Sequence, residues 1–203
     1  MKGDVSNHSL GGFSLHSTTH IDAPLHFCPE GASVADLLKA KNTYYPAYCW
    51  DIPCEAGQRI TAADLHSINH AAFQDAQAIL IRTGFCHIRA LSSVDYSQKN
   101  PVIDPDVAMF LRSAYPSLKL IGIDAISVAN HLLKEEGHAC HRNFLCLDPP
   151  ILILEDADLA DDRLGEALFA LTIFPVFLDD VEASPVVAIV ELGMSGGRME
   201  DRE

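Results

Sequence analysis

Between Leu15 and Phe27 the chain reads LHSTTHIDAPLHF, and His16, His20, Asp22 and His26 fall within eleven residues, all at even positions. Successive side chains of a strand point to opposite faces, so an extended chain puts all four on one face. The odd face is then Leu15, Ile21, Ala23 and Leu25, with Ser17 and Thr19 its polar members. This predicts a strand with its back in a core and its front in a cleft. A helix would also juxtapose His16 and His20, but Thr18, Thr19 and Ile21 are β-branched and stiff, and Pro24 keeps Ala23 out of the helical region. Pro24 is expected to end the regular strand, with His26 just past a bend and leaning into the same cleft. Imidazole and carboxylate are the usual ligands of zinc, manganese and related ions. Clustering them without a cation or a proton-transfer task is unfavourable when they are buried.

At 203 residues the chain is expected to form one domain over 1–203, with 193–203 a polar tail. Its 14 basic and 28 acidic residues give a net charge of −14, which argues against nucleic acid or an anionic membrane as partner. A small anionic substrate is compatible with that charge, because a metal would dominate the local field. The polar start MKGDVSNHSLGG does not read as a signal peptide. The six cysteines (28, 49, 54, 86, 140, 146) show no strong spacing, so reduced thiols and a cytoplasmic location are expected.

Further along, Ser33 is placed to cap a short helix through Leu38, and the aromatic Lys41–Tyr48 stretch reads as irregular, its three tyrosines packing or walling a pocket. Tyr48–Ile52 is predicted as a strand. Thr61 and Asp64 form a capping box for a helix to about His70. His66 and His70 would share a face there, but without a third ligand they read as solvated. Ala78–Arg82 is a buried strand, and Asp104-Pro105 opens a helix through Tyr115. Leu118–Ile123 is a strand ending at Asp124, Ser127 caps a helix stopped by Gly137, and His138 and His141 form a second histidine cluster. Ile151–Leu154 is a strand ending at Glu155. The acidic 156–165 run reads as a solvated face, and Ala167–Phe177 and Pro185–Leu192 as two last strands. Helices alternating with strands in the middle and strand-rich ends indicate a mixed α/β domain.

His16-Ser-Thr18-Thr19-His20-Ile-Asp22-Ala-Pro24-Leu-His26 resembles the signature His-x-Gly-Thr-His-x-Asp-x-Pro-x-His of the cyclase family of metal-dependent hydrolases, the group of bacterial kynurenine formamidase and isatin hydrolase. Only the glycine differs, being Thr18. The resemblance continues in Arg82-Thr83-Gly84-Phe85, in Ile121–Asp124 with Ser127, in His141-Arg142 and in Ile153-Leu154-Glu155. It implies a swivelling β/β/α-like fold with a central, partly barrel-like sheet and flanking helices. It also implies two divalent ions per chain, zinc or manganese: His16, His20 and Asp22 at a first site, with Asp22, His141 and Glu155 completing a second. His138 is the alternative to His141, which is favoured because Arg142 follows it. His26 is implied as general base and acid, Phe85 as an aromatic substrate contact, and a dimer or tetramer as the assembly. Asp124 would orient a ligand histidine or cap the turn before Ser127. Thr18 is expected to add a side chain to the metal face and narrow the cleft. The motif stands very near the start of the chain, so a strand segment that precedes it in the family is expected to be missing. The implied activity is hydrolysis of an aryl formamide or cyclic amide. A lyase or cyclase on a related fold, a non-catalytic metal binder and, more remotely, a cysteine hydrolase using Cys28 are the alternatives.

Overall fold

The computed structural model describes residues 11–66, 68, 73–130, 132–165 and 168–193. Its strands are β1 (His20–Asp22), β2 (Thr43–Asp51), β3 (Arg59–Ile60), β4 (Ala78–Arg82), β5 (Val102–Ile103), β6 (Leu120–Ile123), β7 (Leu152–Glu155), β8 (Phe169–Pro175) and β9 (Ala183–Leu192). Seven close into a barrel in the order β1-β7-β6-β4-β2-β8-β9, and β3 with β5 forms a small separate sheet. Neighbours from β2 to β7 through β4 and β6 run parallel, whereas β1, β8 and β9 pair antiparallel. This is the mixed α/β architecture expected. Lys41–Tyr48 is not irregular: most of it lies in β2, and Tyr44 is buried in the core.

The apolar runs of β4 and β6 are buried on both faces. Ala78, Leu80 and Leu120 point into the barrel with Leu154, Phe169 and Leu171. Ile79, Ile81, Ile121 and Ile123 point outward under the helices, against Val107, Leu111 and Phe144. That two-sided burial is why these strands lack polar alternation. Gly122 is required inside the barrel, because a Cβ there would come within 2.5 Å of Leu80 Cδ2.

The helices are α1 (Val34–Leu38), α2 (Ala62–Leu65), α3 (Ile88–Leu91), α4 (Ser93–Gln98), α5 (Pro105–Ala114) and α6 (Lys134–Leu145). Ser33 caps α1 as expected, in a capping box with Asp36; Thr61 and Asp64 form the expected capping box, and Asp104 caps α5. His66 is exposed against Phe110; His70 and residues 194–203 lie outside the described residues. The helix expected from Ser127 to Gly137 is corrected. α6 begins at Lys134, runs through Gly137 and carries both His138 and His141. Gly137 permits close packing rather than a stop, since a Cβ would meet Ala129 Cβ at 2.9 Å. Among the described residues no helix is long and apolar enough to cross a membrane.

The expectation of six reduced thiols is also corrected. Cys28 and Cys146, separated by 118 residues, form a disulfide, while Cys49, Cys54, Cys86 and Cys140 are free. Local spacing could not reveal a pair that only the fold brings together.

Candidate metal centre

The motif is less extended than its alternation suggests. Only His20, Ile21 and Asp22 form a strand, so strict alternation holds for His20 and Asp22 alone. His16 arrives from a turn before Thr18, whose φ is +62°. A β-branched residue seldom takes that left-handed conformation, which explains why the family signature has glycine there. Thr18 is exposed and absent from the cavity lining, so its side chain does not narrow the cleft as expected. Its carbonyl instead accepts from His20 Nδ1 at 2.9 Å. Pro24–His26 is a tight turn after β1, and it brings His26 back beside His16 as the proline suggested, ring centroids 4.4 Å apart.

Register supplies the long-range partner. Antiparallel pairing of β1 with β7 sets His20 directly opposite Glu155, and directly opposed side chains of such a pair lie within contact reach. His20 Nε2 is 3.3 Å from Glu155 Oε2 and 3.6 Å from Asp22 Oδ1. From α6, His141 Nε2 approaches Glu155 Oε1 at 3.5 Å and Asp22 Oδ2 at 3.8 Å. His141 Nδ1 donates to the Gly137 carbonyl at 2.8 Å, one turn earlier on α6. In both rings a backbone carbonyl takes the Nδ1 proton, which leaves the Nε2 lone pair facing the carboxylates, the usual way a ligating imidazole is oriented. His138 is exposed and touches Phe27 instead, so the geometry favours His141. His16 Nδ1 lies 3.0 Å from Asp22 Oδ1, and its Nε2 lies 3.6 Å from Glu182.

Burial makes the cluster unusual. Asp22 is 0% exposed, and among the described residues its carboxylate is faced only by the His16, His20 and His141 rings, with no aligned hydrogen bond to either oxygen or to His20 Nε2. Orphaned buried charge of this kind calls for a counter-ion. Two donor groups, His16/Asp22/His26 and His20/Asp22/Glu155, have their ligand atoms within 4.8 Å of one another and share Asp22. The chemistry of this set, imidazole nitrogen with carboxylate oxygen, fits a divalent cation. Without one, the histidines carry the countercharge. Burial disfavours charge on His20, but the Glu155 and Asp22 carboxylates outweigh it and push the ring up to about 9. His141 is raised against its own burial by the same two carboxylates, and its charge and that of His20 hold Glu155 below the usual carboxylate range despite complete burial. The Asp22 carboxylate raises His16. His26 differs: burial pulls it below its ordinary value.

These groups line a cavity of about 560 Å³ together with Phe27, Ser97, Asn100, Ser127, Asn130, Lys134 and His138. That volume suits a small molecule. Ser127 is no helix cap. Its hydroxyl and the Val128 N–H both donate to Glu155 Oε1 at 2.8 Å, fixing the carboxylate. Among the described residues Asp124 makes no hydrogen bond to a histidine: it accepts from Thr83 N, Thr83 Oγ1 and Gly84 N at 2.5–2.8 Å and so holds the turn after β4. Phe85, expected at the substrate, is buried against Tyr96 and does not line the cavity, because Gly84 at φ +76° turns it inward. Phe27 is the aromatic residue at the site, stacked on His141 with centroids 4.8 Å apart. Asp156, read as part of a solvated acidic run, is buried at φ +58°. Its carboxylate meets the Tyr96 hydroxyl and Arg89, and its carbonyl accepts from Thr19 Oγ1 at 2.7 Å. It thereby ties the residue after Glu155 to the residue before His20.

The family model described as "Putative cyclase" matches residues 9–130, and the chain belongs to this cyclase family. Kynurenine formamidase of Bacillus anthracis is 31% identical over 184 residues, covering 87% of this chain and 76% of the relative. The enzyme of that name from Bacillus cytotoxicus is 32% identical over 182 residues with the same coverage. Among solved structures, isatin hydrolase A from Labrenzia aggregata superposes with a TM-score of 0.69 at 19% identity, over 87% of this chain and 73% of that one. A potential metal-dependent hydrolase with cyclase activity gives 0.70 at 23%, over 87% and 79%. These structural likenesses bear on the fold.

Proposed function

We propose that this chain is a metal-dependent amidohydrolase that cleaves the C–N bond of a small aryl formamide or cyclic amide. The observation that carries the reading is the buried Asp22 carboxylate, flanked by two oriented Nε2 atoms and Glu155 at the foot of a cavity that also holds His26. The kynurenine formamidase relatives support the substrate class.

His16, His20, Asp22, His141 and Glu155 would hold one or two divalent ions, zinc or manganese, with a carboxylate shared between them. Five ligands exceed the three that one open catalytic zinc needs. The ion would supply Lewis acidity towards a carbonyl oxygen and acidify a water from ~15.7 towards ~7. The His26 ring makes no hydrogen bond among the described residues, and its burial lowers it from the ordinary value, which favours the neutral form. It accepts the proton of the attacking water and delivers it to the departing nitrogen. One C–N bond and one water are consumed; an aryl formamide gives an acid and an amine, and a cyclic amide opens to one product that carries both groups. Phe27 offers its ring to an aromatic substrate.

A homodimer or tetramer belongs to the same reading. The outer face of β8 and β9 exposes Phe174, paired with Val187, and Ile189, with Val176 to Leu178 beyond, and light scattering would measure the assembly. A cytoplasmic location is also part of it, consistent with four free thiols. The test of function is turnover by metal-loaded protein on aryl formamides, isatin-like lactams and small lactones. Hydrolysis of the amides is expected; silence across the panel overturns the reading.

A further inference from the structure

We propose that the Cys28–Cys146 disulfide is a positioning cross-link for the catalytic face of the cavity, and that its reduction by a dithiol lowers turnover by releasing His26 and Phe27 from α6. This rests on the hydrolase reading above. Cys28 directly follows Phe27 and stands two residues after His26; Cys146 caps the C-terminus of α6, five residues after His141. The bond therefore joins the segment carrying the proposed base to the helix carrying a proposed ligand.

Otherwise the connection is made by packing alone. The turn after β1 is held to itself by His26 N to Ala23 O and by Phe27 N and Cys28 N to Pro24 O, at 2.9–3.1 Å. Among the described residues no hydrogen bond links residues 23–31 to α6. The remaining contacts are side-chain packing: Phe27 on His141 and His138 and against the core cluster that includes Cys140 and Phe144, and His26 5.8 Å from His141. Ring contacts permit sliding; a covalent bridge between segments 118 residues apart does not.

The bond is also reachable. Cys146 is exposed and Cys28 half-buried. Exchange needs access to one sulfur and a leaving thiolate. One thiolate of a dithiol reductant attacks Cys146 Sγ, the S–S bond breaks, and Cys28 leaves and takes a proton. The reductant's second thiol then attacks its own sulfur in the mixed disulfide, releasing Cys146. Two electrons and two protons pass to the protein, and the dithiol becomes a disulfide. In cytosolic proteins such bonds are usually transient and redox-sensing.

The test compares oxidised protein, protein reduced by a water-soluble phosphine that brings no competing thiol, and the Cys28→Ser/Cys146→Ser variant, all metal-loaded and well below their melting temperatures. Reduction is expected to lower kcat about tenfold with KM changed less than about threefold, because the base is displaced while the cavity persists. Reoxidation should restore kcat, and the double variant should sit at the reduced level and ignore reductant. A fall in melting temperature with kcat unchanged overturns the proposal, since a purely structural staple does that. So does a count of six free thiols in protein treated with a mild oxidant. If neither redox form turns over any amide, the hydrolase reading fails on its own. The cross-link is then judged by chelator stripping of metal, expected about tenfold faster after reduction; equal rates overturn it.

Discussion

Removing and restoring divalent metal should change the stability of this protein by a readily measured amount. Asp22 Oδ1, Asp22 Oδ2 and His20 Nε2 are buried without hydrogen bonds. Each such atom costs about 1–3 kcal/mol when nothing faces it; in the metal-free fold charged His16, His20 and His141 offset part of that, and a bound cation relieves the rest. Linkage limits how much appears: free metal at 100 to 1,000 times its Kd stabilises by about 2.7–4.1 kcal/mol. For a chain of 203 residues, that is a rise in melting temperature of about 5–16 °C. The assay is scanning calorimetry of chelator-treated protein with and without manganese or zinc. Asp22→Asn nearly preserves shape while removing the shared carboxylate charge, and should abolish the metal response. A melting temperature indifferent to metal at millimolar concentration, or an Asp22→Asn protein that still gains about 5 °C or more, would refute the reasoning.

Other perturbations separate the roles of individual residues. His26→Ala should lower kcat by about 10²–10⁴ while the protein keeps its metal, whereas His20→Ala should lose both; assays paired with metal analysis decide. Asp124→Ala removes three hydrogen bonds to a buried carboxylate and should destabilise by about 2–5 kcal/mol in urea unfolding. Gly122→Ala forces a methyl against Leu80 and Leu154 and should cost about 1–3 kcal/mol, visible as a lower denaturation midpoint. Phe85→Leu should leave KM unchanged, because Phe85 is packed on Tyr96 outside the cavity, and Phe27→Leu should raise it; steady-state kinetics compare the two.

What could be read in the sequence was what is local. His16, His20, Asp22 and His26 lie within one short segment, so residue type and spacing alone marked them. β4 announced itself because two-sided burial leaves an unbroken apolar run. The partners from afar were found through family resemblance; periodicity could not supply them, because the pairing of His20 with Glu155 is a matter of β1–β7 register. Ser127 misled because a serine before a helical stretch caps readily, yet its hydroxyl serves Glu155. Gly137 misled for a related reason: glycine marks helix ends and close approaches alike, and here Ala129 decides. Asp156 looked like one more surface acid in a run of them, until Tyr96 and Arg89 were seen to bury it. Cys28 and Cys146 carried no local signal because only closure of α6 over the turn after β1 brings them together.

Elemental analysis of protein purified without chelator is the most direct measurement. The arrangement of His16, His20, Asp22, His141 and Glu155 predicts about one to two equivalents of zinc or manganese per chain, falling several-fold in Glu155→Ala. Metal below about a tenth of an equivalent after incubation with either ion, or the same content in Glu155→Ala as in the unaltered chain, would contradict it.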